Sequence, residues 1–352
     1  MKQFKLKSRV ISQDSPAYII AEMSANHAGS LENALELVRV AKRCGADCIK
    51  TQTYTADTIT LNCHDEQFKV GGGSLWKGYY LHDLYKEAYT PWEWHKPIQE
   101  EAKRLGLDFF STPFDFTSVD FLEELGVDFY KIASYELVDT ALVKYIARTG
   151  KPIIMSTGMA TFEEITEAVE TIRETGNHQL ALLKCSSMYP AVADHMNLIT
   201  IPDLSERFDV ISGLSDHSFG SFSSIVGVAL GAKIIEKHLC LGRNIFPNPD
   251  SGFSMEPEEF EKMVQEVRNT EKAIGKVPYT YVKQETDSRA SRRSLYVSAD
   301  VKKGEVFTPN NVRSVRPADG LHTRYYGEIL GKCAAQDVAF GTPLRWELVD
   351  KD

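Results

Sequence analysis

The feature that most constrains the fold is an eightfold alternation. Short apolar, β-branched runs recur at residues 18–24, 48–53, 108–112, 129–134, 152–156, 180–185, 209–214 and 233–239. They are apolar on both faces, the pattern of parallel strands covered by helices. Amphipathic segments lie between them. The clearest opens on a capping box, Thr161-Phe162-Glu163-Glu164, and carries Ile165, Ala168, Val169 and Ile172 on one face. Gly176 suits the position after its end. Pro257, flanked by Glu256, Glu258 and Glu259, marks a further helix start. Eight such units within the first 275 residues predict an α/β chain folded as a (β/α)8 TIM barrel. A doubly wound open sheet is the competitor. Its glycine-rich turn after the first strand is missing, because that turn reads SANHAGS.

The rhythm stops after Gly275. Residues 276–290 are polar and without period, which predicts a linker between a barrel domain, 1–275, and a small domain, 291–352. The small domain holds a quasi-repeat. Asp300-Val301, Gly304, Phe307 and Val312 recur as Asp337-Val338, Gly341, Leu344 and Val349, all shifted by 37. So short a domain buries little core and is expected to lean on the barrel or on a partner chain. One other segment stands out, VGGGSLWKGYYLHDLYKEAYTPWEWH at 70–95. It is too long for an ordinary βα loop. Its glycines lack the Lys-Ser/Thr pair and the preceding strand of a phosphate loop. It is expected to be a flexible excursion, with Tyr79, Tyr80, Tyr85, Trp92 and Trp94 packing it onto the barrel.

Net charge narrows the partners. At −9, the chain is not expected to bind nucleic acid through clustered basic residues. No apolar run is long enough to span a bilayer, and the first residues lack the pattern of a signal peptide, so a cytoplasmic protein without membrane partners is expected. The six cysteines form no CxxC pair, which argues against a cysteine-ligated zinc and for small buried hydrophobes.

A barrel places its active site at the C-terminal ends of its strands. The first run ends at Glu22, near Asn26 and His27. The second offers Lys50 and Gln52, which share a face, and the third Ser111 and Thr112. The fourth and fifth bring Lys131, Ser134, Glu136 and Ser156. The sixth brings Lys184, Ser186, Ser187 and Tyr189. The last two bring Ser215, Asp216, His217, Lys237 and His238. Any one of these is ordinarily a satisfied turn or cap. Converging on one mouth, they combine cations and hydroxyls for an anion, imidazoles for a metal and carboxylates for proton transfer. His217 and His238 end adjacent strands. A metal pair and two buried imidazoles bonded to backbone both fit that spacing. Lys50 and Lys131 sit in apolar runs and need an anion if buried; a Schiff-base lysine is the rival reading. Lys131 has the opposite parity to Ser134 and Glu136. All three face inward only if the strand ends or bulges near Ala133. Lys237 has the opposite parity to His238 and is expected to point out. Arg316-Pro317, between the two repeat copies, places an arginine that reaches either solvent or a ligand.

These residues carry a resemblance. IIAEMSANHAGS, GADCIKTQTY, FFSTPFD, YKIASYE, IIMSTGM, LLKCSSMYP, GLSDHS and IEKHL, with the tail RRSLYVSADVKKGEVFTPNNVRSVRP and LGKCAAQDVAFGTPL, are similar in order to the sialic acid synthase family. That family pairs a (β/α)8 barrel with a small antifreeze-like (SAF) domain. ANHAGSLENAL, KTQTYTADTITL, LHDLYKEAYTPWEWH and SVRPADGLH most resemble its pseudaminic acid branch. The resemblance implies an enzyme that condenses phosphoenolpyruvate with an open-chain diacetamido sugar, 2,4-diacetamido-2,4,6-trideoxy-L-altrose, and releases phosphate. It implies that Lys50, Thr112, Lys131, Ser134, Ser156, Ser187 and Ser215 hold phosphoenolpyruvate. His217 and His238 would ligate a divalent metal, manganese first, with magnesium or cobalt also serving. Gln52, Tyr189 and Asp250 would face the sugar. Glu22, Glu136 and Lys131 are the expected catalytic residues, with Glu136 on the attacking water and Glu22 on a sugar hydroxyl, or the two exchanged. Arg316 would reach the sugar's N-acetyl group from the SAF domain of the other subunit in a domain-swapped homodimer. Ser187 and Lys184 stand where sialic acid synthases often carry asparagine and histidine; both are expected beside a different sugar. The alternatives are a synthase for another nonulosonic acid (N-acetylneuraminate, legionaminate or a spore-coat sugar), a Schiff-base aldolase, and a non-catalytic carbohydrate-binding protein.

Overall fold

The eight apolar runs close on themselves. A computed structural model describes residues 2–72, 75–277 and 279–350. It divides into two units, Met1–Gly275 and Lys276–Asp352. The first unit begins with an antiparallel hairpin, β1 (Gln3–Lys5) and β2 (Val10–Ser12). The barrel strands are β3 (Tyr18–Glu22), β4 (Cys48–Thr53), β5 (Asp108–Pro113), β6 (Tyr130–Ile132), β7 (Ile153–Ser156), β8 (Leu180–Cys185), β9 (Ile211–Asp216) and β10 (Ile234–His238). They are parallel neighbours in chain order, and β10 pairs with β3 to close the cylinder. The predicted TIM barrel is the observed fold.

Alternation then sorts the side chains. Outward residues such as Ile19, Ile49, Ile132, Leu182 and Ile235 share one core with the helix stripes, Ile165, Ala168, Val169 and Ile172 among them. The capping box forms: Thr161 Oγ accepts from Glu164 N at 3.2 Å, and Glu164 Oε2 accepts from Thr161 N at 2.7 Å. Inward residues of the lower barrel form a second core. Tyr18, Ile20, Phe110, Ile154, Leu183 and Ile234 pack with Phe4, Leu6 and Ile11 of the hairpin segment. Each such buried side chain is worth about 1.5–3 kcal/mol. The hairpin, unread in the sequence, thus plugs the N-terminal end. With the bottom closed by apolar residues, the polar inward positions are left to the C-terminal end.

The segment after β4 differs from the flexible excursion expected. It carries helices at Ala56–Ile59 and Leu81–Ala88 and a 3-10 turn at Trp92–Trp94. Trp92 Nε1 donates to Tyr54 O at 3.1 Å, and Trp94 meets His27 edge-on at 5.4 Å, so part of its aromatic content does pack onto the barrel. Tyr79 is exposed. Gly73 and Ser74, part of the glycine run, lie outside the described residues. No helix among the described residues is long and apolar enough to cross a membrane.

In the second unit, β11 (Ser294–Val297) pairs antiparallel with β12 (Val312–Val315). The quasi-repeat is an exchange of partners between two halves. Val301 N donates to Val338 O at 2.9 Å and Val338 N returns to Val301 O at 2.8 Å. Asp300 Oδ1 accepts from Phe340 N at 2.8 Å, and Asp337 Oδ1 accepts from Lys303 N at 2.9 Å. Gly304 and Gly341 both adopt positive φ, +80° and +81°, which explains glycine at that point of each copy. Val301, Phe307, Val312, Val338, Leu344 and Val349 are all buried in one small core. Residues 276–290 fall in this unit and hold a short 3-10 turn, Lys283–Glu285, and a helix, Thr286–Ala290; Pro278 lies outside the described residues.

Candidate active site

The polar upper layer encloses a cavity of about 580 Å³ at the C-terminal ends of the strands. Its floor gathers Lys50, Gln52, Thr112, Lys131, Ser156 and Ser215. Ser134, Glu136, Tyr189, His217, His238 and Asp250 complete the expected residues that line it. The parity conflict at Lys131 resolves as the sequence required. β6 ends at Ile132, and the turn that follows brings Ala133, Ser134 and Glu136 to the same cavity.

The two lysines differ. Lys50 Nζ lies 2.5 Å from Glu22 Oε2, 3.5 Å from Glu236 Oε1 and 3.1 Å from Thr112 Oγ1. Glu22 is therefore not on the cavity surface, contrary to the role expected for it. The strand register decides this: Glu22 pairs with Lys50 and with His238, so its inward carboxylate is enclosed by its neighbours. It positions Lys50. Burial pushes the Glu22 carboxyl up to about 7 against the pull of Lys50. Lys131 is as buried, but no carboxylate among the described residues forms an ion pair with it. Its Nζ donates to Ser156 Oγ at 2.6 Å and to Ile132 O at 2.9 Å. Burial lowers it to about 8. It is a buried cation on a cavity wall, a place for an anion.

Glu236 went unread although it shares the inward face of IIEKH with His238. That alternation was the available signal. Its Oε1 accepts from Ser215 Oγ at 3.2 Å, and its Oε2 is buried without a hydrogen-bond partner among the described residues. Burial works to protonate it; Lys50, Lys131 and His217 outweigh burial and hold it below the usual carboxylate range. Cys185 also lines the cavity, with Sγ 3.8 Å from His217 Nδ1. Glu136 faces the cavity with a buried Oε2 that has no hydrogen-bond partner among the described residues, and burial raises its carboxyl to about 7.

Ser134 Oγ accepts from Gly158 N at 3.0 Å. A Cβ on Gly158 would collide with Ser187 Oγ and lie 2.7 Å from Ser134 Oγ, so the two serines occupy the space that glycine leaves. Ser187 itself is behind the lining rather than on it. Lys184 Nζ donates to Cys185 O at 3.1 Å and is off the cavity, not beside it, because inward positions on β8 are the odd ones. Lys237 points out as its parity predicts. It is fully buried there, 2.8 Å from Asp216 Oδ2, so both of these strand-end residues are structural. Arg316 belongs to the second unit and is exposed.

The imidazoles of His217 and His238 lie 5.3 Å apart, centroid to centroid. His217 Nδ1 is 3.3 Å from Ser186 O. His238 Nδ1 is buried without a hydrogen-bond partner among the described residues, and burial together with His217 drives this ring far below the usual histidine range. A neutral imidazole with a free nitrogen is a ligand in waiting. No group of three His, Cys, Asp or Glu with metal-holding geometry occurs among the described residues. The donor set fits a divalent ion held by two imidazoles, its other positions open to water and substrate.

Residues 37–279 match the NeuB family and residues 292–350 the SAF domain. Pseudaminic acid synthase of Campylobacter jejuni (strain ATCC 700819) is 48% identical over 332 residues, 94% of this chain and 96% of that protein. Pseudaminic acid synthase of Helicobacter pylori is 41% identical over 337 residues, 96% of this chain and 98% of that one. The crystal structure of spore coat polysaccharide biosynthesis protein spsE from Bacillus subtilis superposes with a TM-score of 0.68 at 32% identity, over 99% of each chain. The chain belongs to the NeuB family, the sialic acid synthase family of its motifs, and carries the SAF domain at its C-terminal end.

Proposed function

We propose that this protein is a nonulosonic acid synthase that makes pseudaminic acid, joining phosphoenolpyruvate to open-chain 2,4-diacetamido-2,4,6-trideoxy-L-altrose with loss of phosphate. The carrying observation is Lys131, a buried cation without an ion pair among the described residues, on a cavity floor that also presents the hydroxyls of Thr112, Ser134, Ser156 and Ser215. Such a floor suits a compact polyanion. The choice of sugar rests on the two pseudaminic acid synthases above.

The residues divide the work. Lys50 is already neutralised by Glu22 and Glu236, so the net positive charge toward phosphoenolpyruvate comes from Lys131. His217 and His238 would hold the divalent ion, with manganese the first candidate and magnesium or cobalt the others. Bound there, it supplies Lewis acidity toward the sugar aldehyde. The enol π pair forms the new carbon–carbon bond to the aldehyde carbon, and the aldehyde oxygen takes up a proton. Glu136 takes a proton from the water whose oxygen bonds to the former enol-ether carbon. As the new hydroxyl on that tetrahedral carbon gives up its proton and becomes the ketone, phosphate leaves, and Lys131 and the serines receive it; of the two protons of the water, one ends on the new alcohol and one on phosphate. A carboxyl titrating near 7 is matched to accepting and returning a proton at neutral pH.

The test is a panel of open-chain amino sugars, with phosphate release and the mass of the product as readouts. Expected is turnover of the altrose derivative far above that of N-acetylmannosamine. The reverse preference rejects the pseudaminate assignment. One observation favours a second reading: a lysine lowered to about 8 suits imine formation. Borohydride trapping of a lysine adduct in the same assay would establish it.

We also propose that the site is completed by Arg316 of a second copy in a domain-swapped homodimer. The exposure of Arg316 and the match of this region to the SAF domain support this. Mixing inactive Arg316→Ala with inactive Lys131→Ala is expected to restore about a quarter of the activity, as random exchange of two subunits gives one intact site per mixed dimer. No recovery after verified subunit exchange overturns action in trans.

A further inference from the structure

We propose that the helix Leu81–Ala88 is the specificity wall of this site, shaped to receive the deoxygenated, methyl-bearing end of the sugar and to disfavour a hydroxyl there. The inference rests on the substrate reading above and adds which part of the chain enforces it.

Leu81, Leu84, Tyr85 and Ala88 recur at helical spacing and all line the cavity. Leu84 and Ala88 are buried, yet they belong to none of the three apolar cores. An apolar stripe is ordinarily explained by the core it packs into; this one is turned toward the cavity. Val70 and Trp76, from the same segment, extend it. Among the described residues of this segment, those on the cavity with polar side-chain atoms are Tyr54, Trp76 and Tyr85. The indole N–H already donates to Pro249 O at 2.7 Å. The floor has the opposite character, with lysines, hydroxyls, carboxylates and imidazoles.

The chemistry sets the direction of the sugar between them. The aldehyde carbon must reach the enol carbon of phosphoenolpyruvate, which the basic floor holds. The far end of the open chain, C6, is then carried off the floor to the apolar wall. A methyl there is desolvated at no cost in hydrogen bonds. A hydroxyl in the same place leaves water and finds few partners.

The experiment compares kcat/KM for 2,4-diacetamido-2,4,6-trideoxy-L-altrose with that for its 6-hydroxy counterpart. The 6-deoxy sugar is expected to be favoured by roughly 10- to 100-fold, the range for such a difference in an apolar pocket. Half-buried Leu81 is the position to change. Leu81→Asn is expected to narrow the ratio by about tenfold, and Leu81→Met to keep it, with circular dichroism confirming the fold of both. Equal efficiency with both sugars, or a ratio unmoved in folded Leu81→Asn, overturns the wall. If neither diacetamido sugar reacts, the pseudaminate reading fails separately. The wall is then judged on N-acetylmannosamine against its 6-deoxy analogue, where a deoxy preference sustains it and parity overturns it.

Discussion

Glu136→Gln is expected to lower kcat by roughly 10²- to 10⁴-fold, the contribution of a positioned proton acceptor, and to erase the acid limb of the pH profile. The sign follows from the shift. Burial, opposed by Lys131 and Lys50 and reinforced by Asp139, raises the carboxyl to about 7. An acceptor must be ionised, so the wild-type rate rises as pH climbs through about 7, until Lys131, lowered to about 8, begins to lose its charge. Glutamine cannot titrate, and the variant should lose the rise that Glu136 imposes. Stability moves the other way. A carboxyl whose folded pKa lies above its unfolded one stabilises the fold in acid and loses that contribution as pH rises through the folded value. The melting temperature of Glu136→Gln at pH 8 is therefore expected to equal or exceed that of wild type. A variant that keeps the acid limb, or keeps full kcat, removes Glu136 from proton transfer.

His238→Ala is expected to lower turnover by about 10³-fold, the scale of the several kcal/mol that a Lewis acid contributes at a developing charge. It should also abolish divalent-metal binding by equilibrium dialysis. His238 Nδ1 has no hydrogen-bond partner among the described residues, so alanine costs the fold no such bond there, and the far-ultraviolet spectrum should be unchanged. Wild-type protein treated with chelator should match the variant and recover with manganese, while the variant should not recover. A His238→Ala protein that binds metal with undiminished affinity refutes the two-imidazole site, whatever its activity.

The sequence carried the barrel because its signal is local. Two-sided apolar strands and capped amphipathic helices are written in neighbouring residues, and 161–176 shows it: box, stripe and glycine all stand where their spacing puts them. Strand-end parity was equally readable. It placed Lys50, Gln52 and His238 inward, Lys237 outward, and required the break after Ile132 that the turn at Ala133 supplies. Glu236 was within reach of the same argument.

Other features needed strands and segments far apart in the chain to meet. Its place at the end of the first run put Glu22 at the barrel mouth, but only the register of β3 against β4 and β10 put its carboxylate behind Lys50 instead of before the sugar. Nothing local marks Phe4 and Ile11 as the plug of a barrel whose strands begin later. The stretch 70–95 reads as an excursion held down by its aromatics, and only the fold shows that Leu81, Leu84 and Ala88 face a cavity. The line between the two is physical. Periodicity, capping and strand parity depend on the backbone's own repeat, so a chain states them in its residues. Which charge neutralises which, and whether an apolar face meets core or cavity, depends on distances between segments that closure of the barrel alone sets.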